Sequence, residues 1–496
     1  MTPVADEQWN ADEQWDIDAH WDIDGQWDID EQWDVVVLGG GLAGACAADA
    51  AGEQGARVLL LEKRGVLGGS SVLSAGLIAY ADTEEQRAAG IHDSAELLRR
   101  DLIEVGKHRA DEALIERYCT EQADTYRWLR EHGAVFGAPR AASGQSVPRS
   151  HPVDIAALID RLVSRARGRG ARLSYRARAT RLLMDGAEHA VGVRIEGRDG
   201  TRDVRAGAVV IATGGFVRSP QLLARFAPAM DLALKAGGEA NTGDGLLMGC
   251  KVGAGLADTP YVKGTFGIFP WPSPAEGGHG ILAVYKGAIA VNGEGHRFID
   301  ESLPYKEIGD ACLAQTEGIA FQILDDSVLA QTDPEVPIYD FAPRLAAGQL
   351  QQADTLGGLA ELLGIPTDAL QHSVEDYNER IARGEPDAFG RATLSGGVGR
   401  PRPIQGPPYY GYPCTSVLLA TYCGLTVDTT AHVVDVFGER IHGLFAAGEV
   451  TGGFHGAGYV TGTSLGKSAV FGRIAGREAA RAAAWRAANV KESRHA

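Results

Sequence analysis

No Lys or Arg occurs in the first 34 residues of this 496-residue chain. That stretch has no apolar run either, so both parts of a secretory signal are missing. The six cysteines (Cys46, Cys119, Cys250, Cys312, Cys414 and Cys423) include no C-x-x-C pair, which removes the case for a zinc site or a disulfide framework. The longest stretch free of charge and breakers, around Cys414 to Val427, is too short to span a bilayer. With 47 Lys and Arg against 65 Asp and Glu, the chain lacks the basic surplus of a sequence-independent nucleic-acid binder. What it has in quantity is apolar side chain, 45%, and glycine, 65 residues. The first excludes global disorder, and the length fits two or three domains with sizeable cores. The expectation is a cytoplasmic protein in a reduced compartment.

The net charge of -18 is unevenly spread: residues 1 to 34 carry -12 of it and the other 462 residues only -6. Within that arm a six-residue unit recurs (DEQWNA, DEQWDI, DAHWDI, DGQWDI, DEQWDV), placing Trp9, Trp15, Trp21, Trp27 and Trp33 six apart. An even period puts every Trp on one face of an extended chain. The arm reads either as an amphipathic docking strand or as a duplicated low-complexity segment too acidic to collapse alone. A propeller is excluded, since a blade needs roughly forty residues. The expected plan is a disordered arm over 1–33, a nucleotide-binding domain over 34–255 and 416–490, an inserted α+β capping or catalytic domain over 256–415, and a short tail, 491–496.

The nucleotide reading rests on Val35–Leu38, a buried-type strand that runs into Gly39-Gly-Gly41-Leu42-Ala43-Gly44 and an Ala-rich helix. In such a turn the first glycine allows the bend and the second lets backbone approach a pyrophosphate. The third permits close helix–strand packing, and the helix N-terminus offers N–H groups to phosphate. Glu62, 18 residues after Gly44 at the end of the second strand, can accept both hydroxyls of a ribose. Four further segments favour FAD over NAD. Gly68-Gly69-Ser70-Ser71 continues the phosphate cradle, and the strand ending Ala212-Thr213-Gly214-Gly215 permits close approach. Thr242-Gly243-Asp244-Gly245 opens a helix, and Gly448-Glu449 puts a carboxylate where a ribityl chain could be held. One such strand–turn–helix–acid unit is present, so no separate NAD(P)H domain is expected and the electron acceptor is external: a quinone, a carrier protein or oxygen.

With these segments in this order, the chain resembles the fumarate reductase/succinate dehydrogenase flavoprotein superfamily over about residues 34 to 485. VNGEGHRFIDES (291–302) and the closing GLFAAGEVTGG and GTSLGKSAVFGRIAG are its most specific pieces. The resemblance implies an α/β fold, a Rossmann-like FAD-binding domain interrupted by the cap. It implies cofactor contacts from Gly39, Gly41, Leu42, Ala43, Gly44, Glu62, Lys63, Gly69, Ser70, Ser71, Ala75, Gly76, Ala212, Thr213, Gly214, Asp244, Gly448, Glu449, Ser464 and Leu465. Members with covalent flavin usually attach it through a His near the second glycine cluster. Ser70 to Ile78 contains none, which implies non-covalent FAD.

The dicarboxylate reductases of this superfamily use cations to clamp two carboxylates and an Arg as proton donor. At the corresponding places this chain has Tyr305, the cation-free Leu419-Ala420-Thr421-Tyr422-Cys423-Gly424, and Tyr459. The replacements are similar to those in 3-ketosteroid dehydrogenases. Glu301-Ser-Leu-Pro-Tyr305 resembles a segment of the Δ1 type, and Gly458-Tyr459-Val-Thr461-Gly-Thr-Ser-Leu-Gly466 one of the Δ4-(5α) type, with Thr461 where those have Ser. Desaturating a ketone beside its carbonyl removes a proton from the α-carbon and sends a hydride from the β-carbon to flavin N5. Neutral hydroxyls suit the developing enolate. Tyr305 and Tyr459 are therefore expected as polariser and base in either order, with Thr461 relaying or tuning, on a 3-oxosteroid or smaller ring ketone. The alternatives are a reductase of an activated alkene, or a flavin-binding partner whose Trp/Asp arm recruits another protein. Arg149 and His151 read as loop contacts at the edge of the site or as contacts to a substrate carboxylate, and His455 as a structural or catalytic group near the flavin.

Overall fold

A computed structural model describes residues 32–493 apart from 198–199, 260, 272–279, 335, 386 and 396–398. The repeat arm before Gln32, and both readings of it, lie outside the described residues. The chain forms two compact units. Of the described residues, one contains those up to Gly215 with Glu239–Asp258 and those from Cys423 onward; the other contains those of Phe216–Gly238 and Thr259–Tyr422.

In the first unit, Trp33–Leu38 lies between Val58–Leu61 and Gly200–Ile211, parallel to both. Val35, Val36, Val37 and Leu38 are buried without alternation, as in a strand covered on both faces. Arg172–Ser174 extends the sheet on one side, and Arg440–Ala446 with the antiparallel His432–Val434 on the other. Gly200–Ile211 changes partners along its length. Its polar first part pairs antiparallel with Ala190–Gly197, which in turn pairs with Arg178–Met184. Helix Leu42–Glu53 lies against the closing helix Thr463–Ser493, and small residues set their separation. A Cβ on Gly472 would stand 2.4 Å from the Ala43 carbonyl oxygen, and one on Gly476 would stand 2.2 Å from that of Ala47. Leu38, Leu61, Ile211 and Ala446 end their strands on the same side of the sheet, where α/β folds bind ligands.

The second unit is built on Tyr409–Thr421, a 13-residue strand that pairs antiparallel with Val262–Ile268, Ala320–Asp325 and Gln351–Ala353. The length of this strand carries the unit to Tyr422 rather than 415. Leu234–Lys235 pairs parallel with the same strand, so Phe216–Gly238 belongs here and not to the nucleotide domain expected over 34–255. Phe266, Ile308, Leu324, Tyr410 and Tyr412 lie in one core of this unit, and Ile323, Leu359, Val374 and Tyr377 in another.

Candidate functional site

Gly39 takes φ +104°, and a Cβ there would come 2.4 Å from the Ala212 carbonyl oxygen. A Cβ on Gly44 would come 1.8 Å from the Gly39 carbonyl oxygen, so both glycines are required by the protein's own packing. Gly41 differs. Its φ of -77° is open to any residue, and a Cβ would meet only Ser71 Oγ at 3.4 Å and the Gly68 carbonyl oxygen at 3.6 Å. Gly41 offers no capping side chain to the helix that begins after it, and that helix's first turn holds no acid. First-turn helix N–H groups beyond that of Leu42, behind a turn with room beside Gly41, fit a pyrophosphate.

Around this turn the structure gathers several expected residues. Glu62 is buried; its Oε2 accepts the Gly40 N–H at 2.9 Å and its Oε1 the Arg64 N–H at 2.8 Å. A carboxylate has about four acceptor sites, so capacity for a ribose remains. Burial lifts the Glu62 carboxyl above its ordinary range, against the pull of the two N–H groups. Ser71 Oγ accepts the Leu42 N–H at 3.2 Å. Lys63 Nζ reaches Thr242 Oγ1 at 2.7 Å and Asp244 Oδ2 at 2.9 Å. Arg178 forks onto Asp244 at 3.0 and 3.2 Å. Burial pushes the Asp244 carboxyl up, but Lys63 and then Arg178 outweigh it and hold it below the usual value.

Asn241 Nδ2 donates to Ser70 Oγ at 3.1 Å and to Glu449 Oε2 at 2.8 Å. It also lies 3.1 Å from where a Cβ on Gly214 would stand. One amide thus joins the second glycine cluster, the strand end at Gly214 and the carboxylate expected at a ribityl chain. Gly448, at φ +82°, would place a Cβ 2.8 Å from Ala43 Cβ, which brings the last of these segments onto the first helix. Ser464 and Leu465 lie in the first turn of the closing helix, and Ala75 is exposed beside Gly76. Sequence reasoning missed Arg178 and Asn241. Asn241 stands one residue before a turn already singled out, whereas Arg178 sits in an ordinary basic strand that gives no signal.

The segment from Phe454 to Thr463 is held from several sides. Asp258 Oδ2 accepts the N–H groups of Gly453 at 2.8 Å and Gly456 at 3.3 Å. Lys467, 3% exposed, donates to the Thr451 carbonyl at 2.6 Å. Burial lowers this ammonium to about 8, against the opposing influence of Asp258 and then Glu449. Neither Asp258 nor Lys467 was expected from the sequence. The Tyr459 hydroxyl accepts the Gly462 N–H at 3.2 Å, and its ring centroid lies 5.5 Å from that of His455. Thr463 Oγ1 donates to the Val460 carbonyl at 2.6 Å, so His455 Nε2, 3.3 Å away, is the donor of that pair. The N–H of Thr461 donates to the Ser143 carbonyl, and its own carbonyl accepts from Gln145 Nε2 at 2.8 Å and Ser150 Oγ at 3.2 Å.

Arg149 corrects one expectation. It is fully buried, bonded to Asp93 at 2.8 and 3.0 Å and to Asp101 at 2.5 Å, and so is taken up in anchoring the loop against Thr461 instead of meeting a substrate carboxylate. His151 is buried too. Its Nδ1 donates to the Gly137 carbonyl at 3.1 Å, leaving Nε2 to accept from Thr83 Oγ1 at 3.2 Å. Burial keeps this imidazole below its ordinary value. Tyr305 belongs to the second unit, half-buried at the first position of helix Tyr305–Leu313 and packed against the core.

A strand–glycine turn–helix on a parallel sheet, with a buried acid and three glycine-bearing segments joined by one asparagine, defines an FAD-binding protein. The family model described as FAD binding domain matches residues 34–465, and the chain belongs to that family. It is a flavoprotein oxidoreductase acting on C=C/CH–CH bonds. It is 34% identical over 426 residues to the urocanate reductase of Eggerthella lenta, covering 84% of this chain and 69% of that one. It is similar to the open conformation of a flavocytochrome c3 fumarate reductase, with TM-score 0.77 and 30% identity over 93% of this chain and 82% of that one. It is also similar to the 3-ketosteroid-Δ4-(5α)-dehydrogenase of Rhodococcus jostii, solved with 4-androstene-3,17-dione. There the TM-score is 0.74 at 28% identity, over 92% of this chain and 98% of that one. Among the described residues no helix is long and apolar enough to cross a membrane.

Proposed function

We propose that the protein is an FAD-dependent dehydrogenase that introduces a C=C bond α,β to a ketone, its substrate a 3-oxosteroid or a smaller cyclic ketone. The observation that supports this reading is chemical: Tyr305 and Tyr459 stand at motif positions where the superfamily's dicarboxylate reductases place cations. An enolate-like transition state calls for neutral donors at the ketone oxygen and an acceptor at the α-proton. One tyrosine hydroxyl polarises the carbonyl, the other takes the proton, and Thr461, two residues after Tyr459, relays or tunes it. FAD, when bound, supplies the acceptor for the hydride equivalent of the β-carbon, and an external quinone, carrier protein or oxygen takes the electrons onward. The six free cysteines suit a reduced, cytoplasmic setting.

The reverse class, reduction of an activated alkene, has the identity to urocanate and fumarate reductases on its side. A substrate panel separates the two. Reduction of an artificial dye that depends on saturated cyclic ketones supports desaturation. Turnover seen only with reduced viologen and an enoate, and none with ketones, replaces it with the reductase.

A further inference from the structure

Tyr305 follows a turn held by buried charge. Glu301, with no exposed surface, accepts from Arg297 at 2.9 and 2.6 Å, from Arg391 at 3.1 Å and from the Ala290 N–H at 3.0 Å. Asp387 takes a further bond from Arg297 at 2.6 Å. Four buried charges are expensive unless each is paired, and here each carboxylate meets a guanidinium. Arg391 reaches further, donating to the Val284 carbonyl at 2.6 Å and the Ala288 carbonyl at 2.9 Å. Those two residues flank Tyr285. The Tyr285 hydroxyl donates to the Leu303 carbonyl at 2.7 Å, two residues before Tyr305, and both tyrosine rings pack against the same core. The contacts run from Glu301 through Arg391 and the 284–288 segment to Tyr285, and back to the backbone at Leu303, between Glu301 and Tyr305.

We propose that Tyr285, locked by the Arg391–Glu301 pair, is a positioning residue that fixes where the Tyr305 hydroxyl stands during the reaction. The inference rests on the proposed function, in which Tyr305 meets the ketone. A misplacement of about 1 Å at a reacting group costs on the order of a hundredfold, so a backbone clamp two residues before Tyr305 has kinetic weight. Tyr285→Phe removes the bond to the Leu303 carbonyl and keeps the ring packed in the core.

The test is a double-mutant cycle on the FAD-loaded full chain with a saturated cyclic ketone and an artificial dye. Tyr285→Phe is expected to lower kcat about tenfold with KM within about twofold, and to lower it less than about twofold further when Tyr305 is already Phe. An unchanged kcat, or the same fold loss in both backgrounds, overturns the positioning role, because a merely structural loss would be independent of the Tyr305 hydroxyl. Wild-type turnover by Tyr305→Phe alone overturns the underlying assignment of Tyr305, and the positioning role with it.

Discussion

Gly41 and Gly44 sit three residues apart in one turn, yet alanine should harm them in opposite ways. At Gly44 the added Cβ would lie 1.8 Å from the Gly39 carbonyl oxygen and 3.0 Å from its carbon. Relief requires the turn to open by roughly 1.5 Å, which in a packed core costs about 3 kcal/mol or more. Gly44→Ala should therefore lower the melting temperature of the FAD-free protein by several degrees. At Gly41 the nearest protein atoms are 3.4 and 3.6 Å from the new Cβ, ordinary contact, and φ is -77°. Gly41→Ala should leave the FAD-free melting temperature within about a degree. Its methyl instead occupies the room a pyrophosphate needs, at about 2 kcal/mol, or roughly thirtyfold in the Kd for FAD. Thermal denaturation of both stripped variants and a fluorescence titration with FAD make the comparison. A Gly41→Ala protein that binds FAD as tightly as wild type refutes the placement of the pyrophosphate.

Asn241→Leu keeps the volume but leaves Ser70 and Glu449 without the shared amide. FAD binding should weaken by about tenfold or more in the same titration, since a charge-assisted bond contributes about 1.5–3 kcal/mol. Lys467→Met should change the pH dependence of stability. Below pH 8 the buried lysine is charged in both states, and the folded chain bears the burial cost. Between about 8 and the ordinary 10.5 the unfolded chain keeps a proton the folded chain has lost, so the wild-type protein gains up to about 3 kcal/mol relative to the variant as pH rises through that window. Parallel denaturant curves for the two proteins across that range would refute it. Arg149→Met strands Asp93 and Asp101 in the interior and should cost about 3–5 kcal/mol by chemical denaturation, with an unchanged midpoint speaking against an anchoring role.

The nucleotide half of the fold was legible because its signals are local. An unbroken apolar strand, glycines at fixed offsets and an acid at the next strand end each reflect a constraint within a few residues. Gly39 and Gly44 have the reasons the motif gives them, down to the atoms a methyl would strike. Segments far apart in sequence were harder. Phe216–Gly238 joins the second unit in part by pairing Leu234 and Lys235 with Tyr409–Thr421, a registry no local pattern encodes. Arg149 in a Pro-Arg-Ser-His segment read as a contact at the edge of the site, because sequence does not reveal two aspartates about fifty residues upstream closing around it. Asn241, Asp258 and Lys467 were missed for the same reason: their work is to tie together segments distant in sequence. The cation-for-hydroxyl replacements at Tyr305 and Tyr459 were legible only through the resemblance that aligns them.

The central claim is that this flavoprotein takes electrons from a saturated ketone, using neutral hydroxyls. Anaerobic mixing of the FAD-loaded chain with a saturated 3-oxosteroid or cyclohexanone-type ketone, followed through flavin absorbance, tests it most directly. Bleaching by the ketone is expected, at least tenfold slower in Tyr305→Phe and in Tyr459→Phe with FAD still bound. A flavin that stays oxidised with every ketone, but whose chemically reduced form is reoxidised by an enoate, contradicts it.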